Sequence, residues 1–149
     1  MTEVVIVDID GVVADSRHRN HHLEVEHERD VDWNAWEAET HHDTPIKPIV
    51  DLVSALRASG KRIAFSTSRN STCYGATFDW LYFHKVALIG ELILMRRDGD
   101  LRPSPEVKRD HVKGLRNAGW NPVLAIDDHS SNVAMFREEG ILTLHAADY

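Results

Sequence analysis

The chain has a single cysteine, Cys73, among its 149 residues. No internal disulfide can form, so a reducing, cytoplasmic setting is expected. It also lacks a long apolar run. The greasiest stretch, "VALIGELILM" (86–95), is too short to span a bilayer and contains Glu91. Met1-Thr2-Glu3 leads straight into a strand-like run, so no signal peptide is visible and no membrane partner is expected. Positive charge is scarce: 17 Lys and Arg stand against 24 Asp and Glu, a formal net charge of −7. That excludes a protein that coats nucleic acid through a broad basic face, but not one that grips a single phosphate locally. The nucleotide-cradling pattern G-x-x-x-x-G-K-[ST] is missing, since "ASGKR" (58–62) lacks both the first glycine and the hydroxyl. Internal repeats, linkers and low-complexity tracts are absent too.

What is present starts at "VVIVDIDGVVAD" (4–15). A Val- and Ile-rich run over 3–8 has the pattern of a strand buried on both faces, yet it ends in two aspartates, Asp8 and Asp10. Such a pair either caps a turn or holds a metal and does chemistry. Residues 11–44 read as a short polar, His-rich insertion, with "DWNAWEAE" (32–39) as a short helix capped by Asp32. Pro45 and Pro48 open a helix that stops at Gly60, and "RIAFST" (62–67) is a second buried strand. A helix over 77–86 and a strand over 91–96 follow. Ser104 as N-cap and Pro105 at the first helical position start another helix, closed by Gly119. "PVLAID" (122–127), a helix from "HSSNVAMFREEG" and a strand over 141–146 complete the order. With 42% hydrophobic residues, one core over 1–149 is affordable. Alternating strands and helices predict an α/β fold with a central parallel sheet between helical layers.

In such sheets ligands bind at the carboxyl ends of the strands. The first strand delivers Asp8 and Asp10 there. The second delivers Ser66, Thr67, Ser68 and Arg69, and the fourth Asp127 and Asp128. Lys108 lies in the helix after the third. Singly, each has a bland reading as a cap, a turn or a solvated charge. Together, four carboxylates at one edge would repel strongly unless a divalent cation joined them. Oxygen donors without cysteine, beside a phosphate, favour Mg²⁺. The i, i+2 spacing puts Asp8 and Asp10 on one face of an extended strand. One carboxylate can then attack phosphorus while the other moves a proton.

These residues resemble the four motifs of the haloacid dehalogenase superfamily of phosphohydrolases: "VVIVDIDG", "IAFST", "VK" (107–108) and "LAIDD". A closer likeness joins "LILMRRDGDLRPSPEVKRD" and "LAIDDHSSNVAMFREEG" to the 3′-phosphatase domain of bacteriophage-type polynucleotide kinase/phosphatases. The resemblance implies a three-layer Rossmann-like fold with a minimal cap. It implies Asp8 as nucleophile and Asp10 as general acid/base, with Thr67 and Lys108 binding the phosphoryl group. It further implies that Asp127 and Asp128 support Mg²⁺, with Asp8 and the Asp10 backbone carbonyl as further ligands. Where this family commonly has Asp-Asp-Arg and Ser-Gly-Arg, the chain has Asp127-Asp128-His129 and Thr67-Ser68-Arg69, so the arginine of the second motif is kept. A stand-alone phosphatase acting on nucleic-acid 3′ ends is the expectation. The short insertion suits an open site, and Ser68, Arg69, Arg96, Arg97 and Arg102 are candidates to meet substrate phosphates.

Alternatives are a deoxyribonucleotidase on free nucleotides, phosphotransfer or phosphonate chemistry on the same scaffold, and a non-catalytic phosphate- or metal-binding module. The histidines at 18, 21, 22, 27, 41 and 42 read as solvated loop residues or phosphate contacts, or as a zinc site that matches no familiar spacing. Trp33 and Trp36 either stack on a base or pack the insertion onto the sheet. Trp80 and Trp120 belong to the core.

Overall fold

The computed structural model describes residues 1–146; the last three residues of the expected domain lie outside that range. In chain order the elements are β1 (Thr2–Val7), β2 (Ala14–Asp15), α1 (Trp33–Ala38), β3 (Thr44–Pro45), α2 (Lys47–Ala58), β4 (Arg62–Asn70), α3 (Tyr74–Phe83), β5 (Leu92–Arg96), α4 (Ser104–Asn117), β6 (Trp120–Asp127), α5 (Ser130–Glu138) and β7 (Leu142–His145). Five strands form one parallel sheet in the order β5-β4-β1-β6-β7. The fold is the expected α/β one. Among the described residues, no helix is long and apolar enough to cross a membrane.

The strand alternation builds the three layers. Val5 and Val7 of β1, with Ile63 and Phe65 of β4, face α2 and α3 through Val53, Trp80 and Leu81. Val4 and Ile6, with Ala64 and Ala125, face α4 and α5 through Val112, Leu115, Met135 and Phe136. From Val4 to Val7 both faces of the central strand are therefore apolar, and the first buried carboxylate comes where the strand ends. Trp80 is buried as expected, while Trp120 is only partly buried against the second cluster.

Three boundaries differ from expectation for physical reasons. The second strand runs on to Asn70, so Thr67, Ser68 and Arg69 are extended chain and not a helix cap. The helix expected over 77–86 starts earlier, at Tyr74. Ser104 is the first residue of α4 and not its cap. Pro103 occupies the cap position, and Ser104 Oγ instead meets Ser68 Oγ at 2.5 Å.

The insertion is largely exposed but folded. It is closed at its base by the β2–β3 ladder, Ala14 opposite Pro45 and Asp15 opposite Thr44. Between these lie three 3₁₀ turns, Arg17–Leu23, Glu28–Asp30 and Thr40–His42, and α1, whose Asp32 cap accepts from Ala35 N at 3.1 Å. Trp36 packs inward and is 7% exposed, whereas Trp33 is 46% exposed.

Candidate active site

The carboxyl edge of the sheet gathers two charge clusters. In the first, Lys108 is buried in the second turn of α4 and points its Nζ between two carboxylates. It lies 2.9 Å from Asp8 Oδ1 and 2.5 Å from Asp127 Oδ2. Burial would lower this lysine's pKa, but Asp8 and Asp127 outweigh burial and raise it, so it stays charged. Asp127 is held from its other side by His129 N at 3.0 Å and Asn132 Nδ2 at 3.2 Å. One oxygen each of Asp8, Asp127 and Asp128 falls within 4.8 Å of the others.

One ammonium does not balance three ionised carboxylates. The pKa of Asp8 is pushed well up, by burial first and then by Asp127. Asp128 is raised by burial and by Asp127 as well. This is the electrostatic signature of a site short of positive charge. The donors fit a hard dication: all are carboxylate oxygens, and the charge left over is that of two anions.

Gly11 makes the close approach possible. Its φ is +76°, which favours glycine, and an added Cβ would run into the Asp128 carboxylate. The turn it opens is pinned by Gly11 N donating to Ala14 O and by Val12, Val13 and Ala14 N converging on Ile9 O.

The second cluster is balanced. Arg69 donates to Asp10 through both Nε (2.9 Å to Oδ2) and Nη2 (2.6 Å to Oδ1). Arg19 reaches Asp10 Oδ1 at 3.1 Å and also forks onto Asp43, Nε to Oδ1 at 2.9 Å and Nη2 to Oδ2 at 2.5 Å. Arg69 Nη2 completes the ring to Asp43 Oδ2 at 3.2 Å. Arg19, Arg69 and Asp43 are each at most 3% exposed. Arg19 also lies 3.7 Å from the Trp36 ring centroid and donates to Trp36 O, so the insertion is packed through it. Burial alone would raise Asp10, but the charges and hydrogen bonds of Arg69, with Arg19, prevail and hold it below its ordinary value.

Asp8, Lys108, Asp127 and Asp128 thus come together, while the Asp10 side chain turns to the arginines. Thr67 is buried, and its Oγ1 accepts from Arg69 N at 3.1 Å. Arg96 is taken up locally, donating to Ser68 O, Asp100 O and Arg102 O. Arg102 pairs with Asp100 and Asp110. Arg97 is exposed. His129 Nδ1 lies 2.7 Å from Ser131 Oγ. Sequence reasoning missed Arg19 and Asp43. Arg19 sits in a run of histidines with nothing local to mark it as buried, and Asp43 reads as a turn residue before Pro45.

The family profile of the polynucleotide kinase PNKP phosphatase domain matches residues 2–148. The chain belongs to that family. It is thereby placed among haloacid-dehalogenase-type phosphohydrolases, the phosphoric monoester hydrolases expected from its motifs. No individually curated protein sequence matches it significantly. Among solved structures it is similar to a chain of the Pnkp1/Rnl/Hen1 RNA repair complex, with TM-score 0.80 and 17% identity over 99% of this chain and 43% of that one. A second structure of that complex gives 0.78 and 19%, over 100% and 48%. The chain therefore spans less than half the length of these two relatives. CbbY from Rhodobacter sphaeroides in complex with phosphate shares the fold at TM-score 0.66 and 15% identity, over 100% and 88%.

Proposed function

We propose that this protein is a Mg²⁺-dependent phosphatase that works through an aspartyl-phosphate on Asp8 and removes 3′-phosphates from nucleic-acid ends. The observation that carries the reading is the Asp8–Lys108–Asp127 arrangement. It sets a buried carboxylate, a fixed cation and a cation-deficient acidic pocket at the carboxyl edge of the sheet. Asp8, Asp127 and Asp128 would hold Mg²⁺, with the Asp10 backbone carbonyl as a further ligand. When bound, the ion supplies charge neutralisation for the phosphoryl oxygens.

Lys108 and Thr67 orient those oxygens. Asp8 attacks phosphorus, the bond from phosphorus to the ester oxygen breaks, and that oxygen takes the proton of Asp10. Water then gives a proton to Asp10 and attacks phosphorus. The Asp8–phosphorus bond breaks, phosphate leaves and both carboxyls are restored. In the free site the arginines hold Asp10 ionised. A phosphate dianion arriving beside them offsets their charge, so Asp10 gains its proton in the complex.

The 3′-end assignment rests on the family match, on the RNA repair assemblies among the relatives, and on the shortness of the insertion. Burial pushes the Cys73 thiol up to about 11, which fits an unreactive side chain. The test compares kcat/KM for a 3′-phosphorylated oligonucleotide, a 3′-mononucleotide and a 5′-mononucleotide at one salt concentration. The oligonucleotide is expected to win. A 5′-mononucleotide preferred by about tenfold, or about 1.4 kcal/mol in transition-state binding, would replace the reading with a nucleotidase.

A further inference from the structure

The insertion carries a cluster that phosphate hydrolysis leaves unused. His21 and His22 end the 3₁₀ turn Arg17–Leu23, and Glu39 is the C-terminal cap of α1. One nitrogen of each imidazole and one Glu39 oxygen lie within 4.8 Å of one another. Glu39 Oε1 is 2.9 Å from His22 Nε2 and 3.9 Å from His21 Nε2. A tetrahedral ion with bonds of about 2.0–2.1 Å sets its donors about 3.3 Å apart, between those two values.

The outer contacts point the same way. His21 Nδ1 lies 3.1 Å from His18 O. A carbonyl only accepts, so Nδ1 carries the proton and the Nε2 lone pair is left facing Glu39. His18 repeats the device. Its Nε2 lies 2.7 Å from Asp43 Oδ1, and its Nδ1 lies 3.8 Å from Glu39 Oε2. Ring nitrogens of three histidines thus converge on one carboxylate, and the far nitrogens of His18 and His21 are fixed by acceptors. That is how metal-binding imidazoles are oriented.

We propose that His21, His22 and Glu39 bind a zinc-type dication, with His18 as a positioning residue beside the Glu39 carboxylate. Imidazole-rich donors favour this ion, whereas the all-carboxylate pocket of Asp8, Asp127 and Asp128 favours Mg²⁺, so the two ions sort themselves. The ligands come from the first 3₁₀ turn and from the end of α1, so the ion would tie those two elements of the insertion together. Through His18 and Asp43 it would also brace Arg19. This site does not depend on which phosphomonoester is hydrolysed.

The test is calorimetric titration of the metal-free full chain with Zn²⁺ in saturating Mg²⁺, alongside Co²⁺ absorption, which reports imidazole ligation and tetrahedral geometry. One equivalent should bind and raise Tm. His22→Ala and Glu39→Gln should abolish that equivalent while keeping the wild-type metal-free Tm. His18→Ala should weaken it about 10–100-fold, as for loss of an orienting contact. Asp127→Asn and His27→Ala should leave it intact. Absence of the equivalent in the wild type, or its survival in both His22→Ala and Glu39→Gln, would overturn the proposal. Loss in Asp127→Asn alone would place the ion at the carboxylates. Should His22→Ala fail to fold, His21→Gln and Glu39→Gln decide by the same readouts.

Discussion

Asp8 and Asp10 share a chemistry but sit in opposite fields. Asp8 is raised by burial and by Asp127 and is short of cations; Asp10 is lowered because two guanidiniums outweigh burial. Two expectations follow from that contrast. Asp8→Asn should abolish turnover, because the amide cannot attack phosphorus, and it should not lower Tm, because it removes a crowded negative charge. Near-normal turnover in the folded variant would take the nucleophile role from Asp8. Asp10→Asn should slow hydrolysis about 10²–10⁴-fold on an alkyl ester, and far less on a p-nitrophenyl ester, whose leaving group needs no proton. Equal losses on both esters would contradict proton transfer by Asp10. The wild-type pH profiles carry the same information. The pKa of the essential acid should be higher in the kcat profile than in the kcat/KM profile, because bound phosphate offsets the arginines. Coincident values would show that the arginines do not set this carboxyl.

At the scale of elements, the regular parts of the fold were legible and the insertion was not. The apolar runs of β1, β4 and β6 read as strands buried on both faces, so the acids that follow β1 and end β6 were readable from residue type and position. So was the Asp32 cap. The insertion looked like solvent-facing loop because its sequence is polar, and most of it is exposed, yet Arg19, Glu37, Thr40 and Asp43 are buried and partnered. The signal lay in complementarity between distant residues: Arg19 is 24 positions from Asp43 and 59 separates Asp10 from Arg69. No local pattern encodes such pairing. The consequence is that Arg19 supports the insertion as a whole. Arg19→Met leaves Asp43 with less than its full set of donors and should destabilise the protein by about 3–5 kcal/mol, read from urea unfolding. A change below about 1 kcal/mol, typical of an exposed ion pair, would mean that the insertion folds without this arginine.

At the scale of the whole molecule, stability should depend on pH through a residue outside both charge clusters. His111, on α4, packs against β4 with Nδ1 2.8 Å from Ser66 Oγ and Nε2 3.1 Å from Met95 O. The carbonyl fixes the proton on Nε2, so Nδ1 accepts from the serine and the ring is satisfied while neutral. Burial pushes its pKa down to about 4. Unfolded, the same imidazole titrates near its ordinary value of about 6.5. Between those two values the unfolded chain binds more protons than the folded one, so stability rises with pH across that window. Its contribution is fully present above about pH 6.5, is lost as pH falls toward 4, and amounts to something on the order of 3 kcal/mol. His111→Gln keeps a side chain that can donate and accept but cannot titrate. Its urea midpoint should fall less steeply than wild type between pH 6.5 and 4, with the two curves converging at the acid end. Parallel curves across that window would mean that His111 is not what couples the α4–β4 contact to pH.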